Sequence, residues 1–317
     1  MQIKRDITVD ILRGLAVVTM VCGNLPTVLL VEPYPFWLVL YGAWAAPLFI
    51  LISGMMVAFT TQTKGHRLKY FLVRGTMLII VGVLIEVVIL GSHPFMFFQI
   101  LYLIGVSLPI AYLFLRLNTF SKWTIVITFF SLTPILQEIF KHTNYIVHRL
   151  IVDGWFPIFP WLGFSLLGVN LANLRWKCKS RIALRKNVFF LIEICILTSG
   201  GVIWWFTFYY YNWPSIGYVM SAIGVILILF SIVDYKPSLI IYKPLQVLGE
   251  SSLFIYIFHL SLIQYVIAFI WSEVNLQTFL LIYIVMLLLM VLVAYGLRVL
   301  KTRWKSRPFI IRFLLGS

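Results

Sequence analysis

Residues 276–299, LQTFLLIYIVMLLLMVLVAYGLRV, run for 24 positions with one charge, Arg298, close to the end. At a helical rise of about 1.5 Å per residue, the run is about 36 Å long, enough to cross a hydrocarbon core of roughly 30 Å. Such a segment reads as a transmembrane helix. Working outward from it, apolar runs of about 20 residues recur at 10–31, 36–61, 72–91, 95–115, 123–140, 157–174, 188–209, 214–233 and 249–271. The expectation is an all-α polytopic bundle of about ten spans, forming a single transmembrane domain over 1–317.

Composition agrees. Of the 317 residues, 62% are hydrophobic and only 11% charged, against about a quarter charged in a soluble domain. No polar block is long enough for a second, soluble domain. The first apolar run, Ile11 to Val31, is too long for a signal-peptide core and leads straight into another, so no cleavable signal peptide is expected.

A net charge of +15 would suit a nucleic-acid binder, but its distribution does not. With the N-terminus on the cytoplasmic side, only Lys141 and Arg149 of the 25 Lys and Arg residues fall in outer loops. The other 23 lie in the termini, in inner loops or at inner helix ends, most densely from Arg175 to Lys186. This is the positive-inside pattern, and it predicts both termini in the cytoplasm. The charge then reports topology and contact with anionic lipid, and nucleic acid is excluded as a partner. Cys22, Cys178 and Cys195 share no metal-ligand or disulfide spacing, so no metal is expected.

Polar residues inside spans are costly and point to function unless they are satisfied locally. Glu86 falls about 16 Å into its span, His259 about 15 Å into its own, and Asn24 about 21 Å beyond Asp10. Each is either a functional group or a hydrogen-bonded core residue. Glu193 and Glu138, nearer the span ends, read as local structure. Asp10 and Arg13 share one helix face, where they form a local ion pair or meet the phosphates of a cytoplasmic cofactor. The one long outer connection, residues 141–156 (KHTNYIVHRLIVDGWF), concentrates His142, His148, Arg149 and Asp153. Trp204, Trp205 and Tyr209 to Tyr211 read as an interfacial aromatic belt.

Five segments, in order, carry a resemblance. They are DILRGLAVVTMVCGN (10–24), APLFILISG (46–54), FFQILYLIGVSL (97–108), DGWFPIFPWLGFSLLG (153–168) and LGESSLFIYIFHLSLI (248–263). Together they resemble the heparan-alpha-glucosaminide N-acetyltransferase catalytic-domain family and its bacterial relatives. The resemblance implies a membrane acyltransferase that moves an acetyl group from cytoplasmic acetyl-CoA to an amine or hydroxyl of an extracytoplasmic sugar, on a glycan or glycolipid. It implies catalytic roles for Asn24, Asp153, His259 and His93, and contact between acetyl-CoA and Asp10 and Arg13. The residues themselves leave blander roles open: a helix cap for Asp153, a core histidine at 259, a turn at His93.

The chain departs from the family twice. The segment after Asn24, NLPTVLLVEPYPFWLVLYGAW, has no histidine, and Pro33 falls about where the family has one. Tyr102 stands where the family has a second histidine. The base must then come from elsewhere, or the activity has been lost or changed. A non-enzymatic transporter of a small solute or lipid-linked sugar, with Glu86 and His259 along its path, and an inactive homologue are the alternatives. The lipid bilayer is the one partner every reading shares, and each is compatible with a homo-oligomer.

Overall fold

The computed structural model describes residues 6–140, 149–177, 187–207, 215–304 and 306–316. These are mainly helical, with no strand among the described residues. In chain order the helices are α1 (Ile7–Asn24), α2 (Pro26–Leu29), α3 (Phe36–Ala43), α4 (Ala45–Lys64), α5 (Leu68–Leu84), α6 (Ile100–Phe114) and α7 (Thr119–Phe140). They continue with α8 (Ile158–Lys177), α9 (Asn187–Thr207), α10 (Ile216–Tyr235), α11 (Lys243–Glu250), α12 (Ser252–Leu262), α13 (Leu276–Arg303) and α14 (Phe309–Leu314). Short π-helical turns follow α5 (Ile85–Ile89), precede α8 (Arg149–Asp153) and follow α12 (Ile263–Ile267).

Seven helical segments among the described residues are long and apolar enough to cross a membrane. They coincide with the expected spans beginning at 10, 36, 72, 123, 214, 249 and 276. The other three expected spans are helical as well, at α6, α8 and α9. The protein is therefore an integral, multi-pass, all-α membrane protein.

Local chemistry sets the helix ends. Asp6 caps α1 by accepting from the Thr8 backbone N–H (3.1 Å), and Asn275 caps α13 by accepting from that of Thr278 (2.9 Å). Lys301 and Arg303 occupy the last turn of α13, where cations complement the helix dipole. Phe159 leaves helical geometry inside α8 (φ −100°, ψ 128°) because Pro160 follows it.

The chain forms two compact units, residues 1–48 with 232–317, and residues 49–231. In the first, α1 is the central helix and its Ile11, Leu12, Ala16, Val17 and Val21 are buried. It crosses α11 at backbone contact: a Cβ on Gly14 would strike the Leu245 carbonyl, and one on Gly249 would strike the Asp10 carbonyl. In the second unit, α5 and α6 meet in the same way through Gly75 and Gly105. Small residues at such crossings are how membrane helices gain packing without a hydrophobic driving force. A chain of aromatic contacts, Phe156 to Trp161 to Tyr218 to Trp204, builds the core around α8 to α10. Of the expected aromatic belt, Trp204 is therefore a core residue and Trp205 is exposed, while 209–211 lie outside the described residues.

Candidate functional site

Asn24 is the last residue of α1, where the chain breaks before Pro26 starts α2. Its amide Nδ2 lies 3.0 Å from Nε2 of His259 on α12. With the amide nitrogen as donor, Nε2 accepts and the ring proton sits on Nδ1, a tautomer fixed by the assigned amide orientation. His259 is fully buried and tilted against Tyr256, with ring centroids 5.4 Å apart. Asn24 and His259 both belong to the first unit, although 235 positions separate them. A cavity of about 450 Å³ lies beside this end of α1, lined by Cys22, Trp37, Tyr41, Trp44, Leu280 and Tyr283. The Tyr283 hydroxyl donates to the Val18 carbonyl (3.1 Å).

The other end of α1 carries Asp10, buried, and Arg13, whose Nη1 lies 3.7 Å from the Asp10 carboxylate. Cations gather around the α11 residues that pack here. Lys301 donates to the Glu250 carbonyl (2.8 Å) and the Ser251 hydroxyl (2.7 Å), and Arg298 lies 3.7 Å from the Glu250 carboxylate. Further along, Arg307 holds Nε and Nη1 buried and without a hydrogen-bond partner among the described residues. Sequence reading did not single out Arg307, since one arginine in a basic tail carries no signal of its own.

In the second unit, Glu86 is fully buried in the π-helical turn after α5. Its carboxyl group accepts from the Phe95 N–H (2.6 Å), the Phe97 N–H (3.1 Å) and the Tyr102 hydroxyl (2.6 Å). These three donors make it a local acceptor. Gln99 adds a bond to the Gly82 carbonyl. The loop from Ser92 to Gln99 is held in a form it would not choose. Phe95 (φ 62°) and Phe98 (φ 51°) sit in the left-handed region, which is costly for aromatic residues. His93 is exposed in this loop, and its carbonyl accepts from the Met96 N–H (3.2 Å).

The same loop holds the corner that follows the outer connection. Trp155 and Phe156 donate backbone N–H bonds to the carbonyls of Phe97 (3.3 Å) and Phe98 (3.2 Å), and Arg149 reaches the Met96 carbonyl (2.8 Å). Asp153 closes the turn Arg149–Asp153, five residues ahead of α8 and so outside the N-cap position its capping reading required. His142 and His148 lie outside the described residues, as does the side chain of Asp153.

Of the expected site residues, the fold joins Asn24 to His259 and Asp10 to Arg13. It ties the loop of His93 to the corner after Asp153. Near the membrane surface, His66 between α4 and α5 has its pKa lowered by partial burial and by the charges of Lys64 and Arg74.

A family model described as heparan-alpha-glucosaminide N-acetyltransferase, catalytic, matches residues 5–200, more than half of the chain. The match includes Asp10, Arg13, Asn24, Glu86, His93 and Asp153, while His259 lies beyond it. A search of curated proteins returned no match.

Proposed function

The chain belongs to the heparan-alpha-glucosaminide N-acetyltransferase catalytic family, and we propose that it transfers an acetyl group from cytoplasmic acetyl-CoA to an amine or hydroxyl of an extracytoplasmic sugar. Membrane acyltransfer follows from the family. The choice of donor and acceptor draws its main support from the contact between Asn24 and His259. It supplies, from two distant segments, a base and an amide donor in a chain that lacks the histidine its family carries after this asparagine.

The chemistry proceeds in three movements. The acceptor displaces the Asn24 amide from Nε2 of His259 and presents its own N–H or O–H there. As the nucleophile attacks the thioester carbonyl, Nε2 takes its proton and the freed Asn24 N–H donates to the developing oxyanion. Collapse of the tetrahedral intermediate breaks the C–S bond, and the departing thiolate receives the proton from His259. Burial keeps bulk water from competing as nucleophile.

At the other end of α1, Arg13, paired with Asp10, is assigned to the donor's phosphates. In the second unit, His93 and Asp153 are assigned to sugar binding. The reading takes the chain as one transmembrane catalytic domain with both termini in the cytoplasm, an orientation the Lys and Arg distribution supports.

The test is purified protein in nanodiscs with labelled acetyl-CoA and a panel of cell-envelope glycans. Asn24→Ala and His259→Ala should each lower kcat by about 10²-fold or more, with acetyl-CoA binding within about threefold of wild type. An absence of both transfer and any acetyl-CoA-dependent thermal shift would sink the reading.

A further inference from the structure

Tyr102 stands where the family has a histidine, and its hydroxyl is committed to Glu86 (2.6 Å). Glu86 in turn bonds the two amides that straddle Met96, at Phe95 and Phe97. A buried carboxyl group needs donors, and a loop with two aromatic residues at positive φ needs something that outweighs its strain. Each answers the other. The loop then carries the order outward through the Phe97 and Phe98 carbonyls to Trp155 and Phe156, while Arg149 ties down Met96 from the far side.

The consequence is visible in two rings. Phe97 covers one face of Trp155, with centroids 4.6 Å apart and planes at 23°. Tyr102 likewise backs Phe95 at 4.7 Å. Trp155 remains 53% exposed and Phe95 50% exposed, with the imidazole of His93 exposed in the same loop. Aromatic rings backed by a second ring and about half exposed suit a sugar ring, which presents C–H groups on its faces and hydroxyls at its edge.

We propose that Glu86 is the positioning residue of a sugar-binding surface in the second unit, holding the Ser92–Gln99 loop and the Trp155 corner in the form that receives the sugar. This rests on the function proposed above for its substrate class. Glu86 touches no substrate. It acts through the two backbone amides and Tyr102.

The experiment compares wild type with Glu86→Ala, Tyr102→Phe and Arg149→Ala, all as full-length protein in nanodiscs. Amide exchange is followed over residues 92–102, and acceptor and donor kinetics are measured with glucosamine, galactosamine, glucose and galactose. Glu86→Ala should expose the Phe95 and Phe97 amides to exchange and raise the acceptor KM about tenfold or more, while acetyl-CoA affinity stays within about threefold. Tyr102→Phe and Arg149→Ala, which each remove one tie, should give smaller shifts of both readouts in the same direction.

Unchanged exchange in Glu86→Ala, or freed amides with an unchanged acceptor KM, would overturn the proposal. If Glu86→Ala fails to fold, Tyr102→Phe and Arg149→Ala decide it, and no shift in either readout overturns it. If the wild type transfers acetyl to nothing, the enzymatic reading falls. The exchange contrast and the dissociation constants of the same sugars then stand in for KM, and no sugar bound by wild type overturns the platform.

Discussion

Glu86 and His259 are both fully buried, yet they differ in what meets them. The carboxyl group of Glu86 is engaged by three donors from its own neighbourhood, whereas Nε2 of His259 meets the Asn24 amide of a distant helix. A carboxyl group met by local donors holds structure, while a buried histidine paired with an amide from a distant segment invites a chemical explanation. Tyr102→Phe leaves Oε2 of Glu86 with the Phe95 N–H as its remaining donor and should cost about 1 kcal/mol of stability, read as a lowered midpoint in detergent unfolding. His259→Ala should cost less in stability than in rate. Depth counting along the sequence put both residues near mid-membrane without separating their roles. The reason is physical. Two of the three donors to Glu86 are backbone amides in a loop whose positive φ at Phe95 and Phe98 no residue preference forecasts. The partner of His259 is 235 residues away, a separation over which periodicity carries no information.

The elements themselves were far more legible. Runs of about 20 apolar residues leave a chain in lipid no choice but helix, since every backbone N–H and C=O must be met internally. What sequence could not show is where helices touch. Gly14 and Gly249 look like any helical glycines, but each faces a neighbouring carbonyl at the α1–α11 crossing, while Gly296 on α13 faces nothing within 4 Å. Gly14→Val and Gly249→Val should therefore separate the helices and lower the thermal midpoint steeply, at a cost of about 2 kcal/mol or more. Gly296→Ala should be neutral or stabilising by up to about 1 kcal/mol through helix propensity. Equal midpoints for Gly14→Val and Gly296→Ala would show that the crossing contributes little.

Across the whole molecule, the distribution of Lys and Arg makes a claim of its own. With both termini in the cytoplasm, a cysteine introduced at Arg181 in a background lacking Cys22, Cys178 and Cys195 should react with an impermeant maleimide only from the cytoplasmic face. One introduced at Arg149 should react only from outside. The reverse pattern would invert the topology and take the acetyl-CoA side with it. The chemistry requires this sidedness, since donor and acceptor are assigned to opposite faces. The most direct measurement uses sealed proteoliposomes of known orientation, with labelled acetyl-CoA supplied only on the face that carries the termini and glucosamine only on the other. Label should appear on the sugar with wild-type protein and fall about 10²-fold or more with His259→Ala and with Asn24→Ala. Transfer that survives undiminished in both variants, or no transfer by the wild type to any sugar offered, would contradict the account.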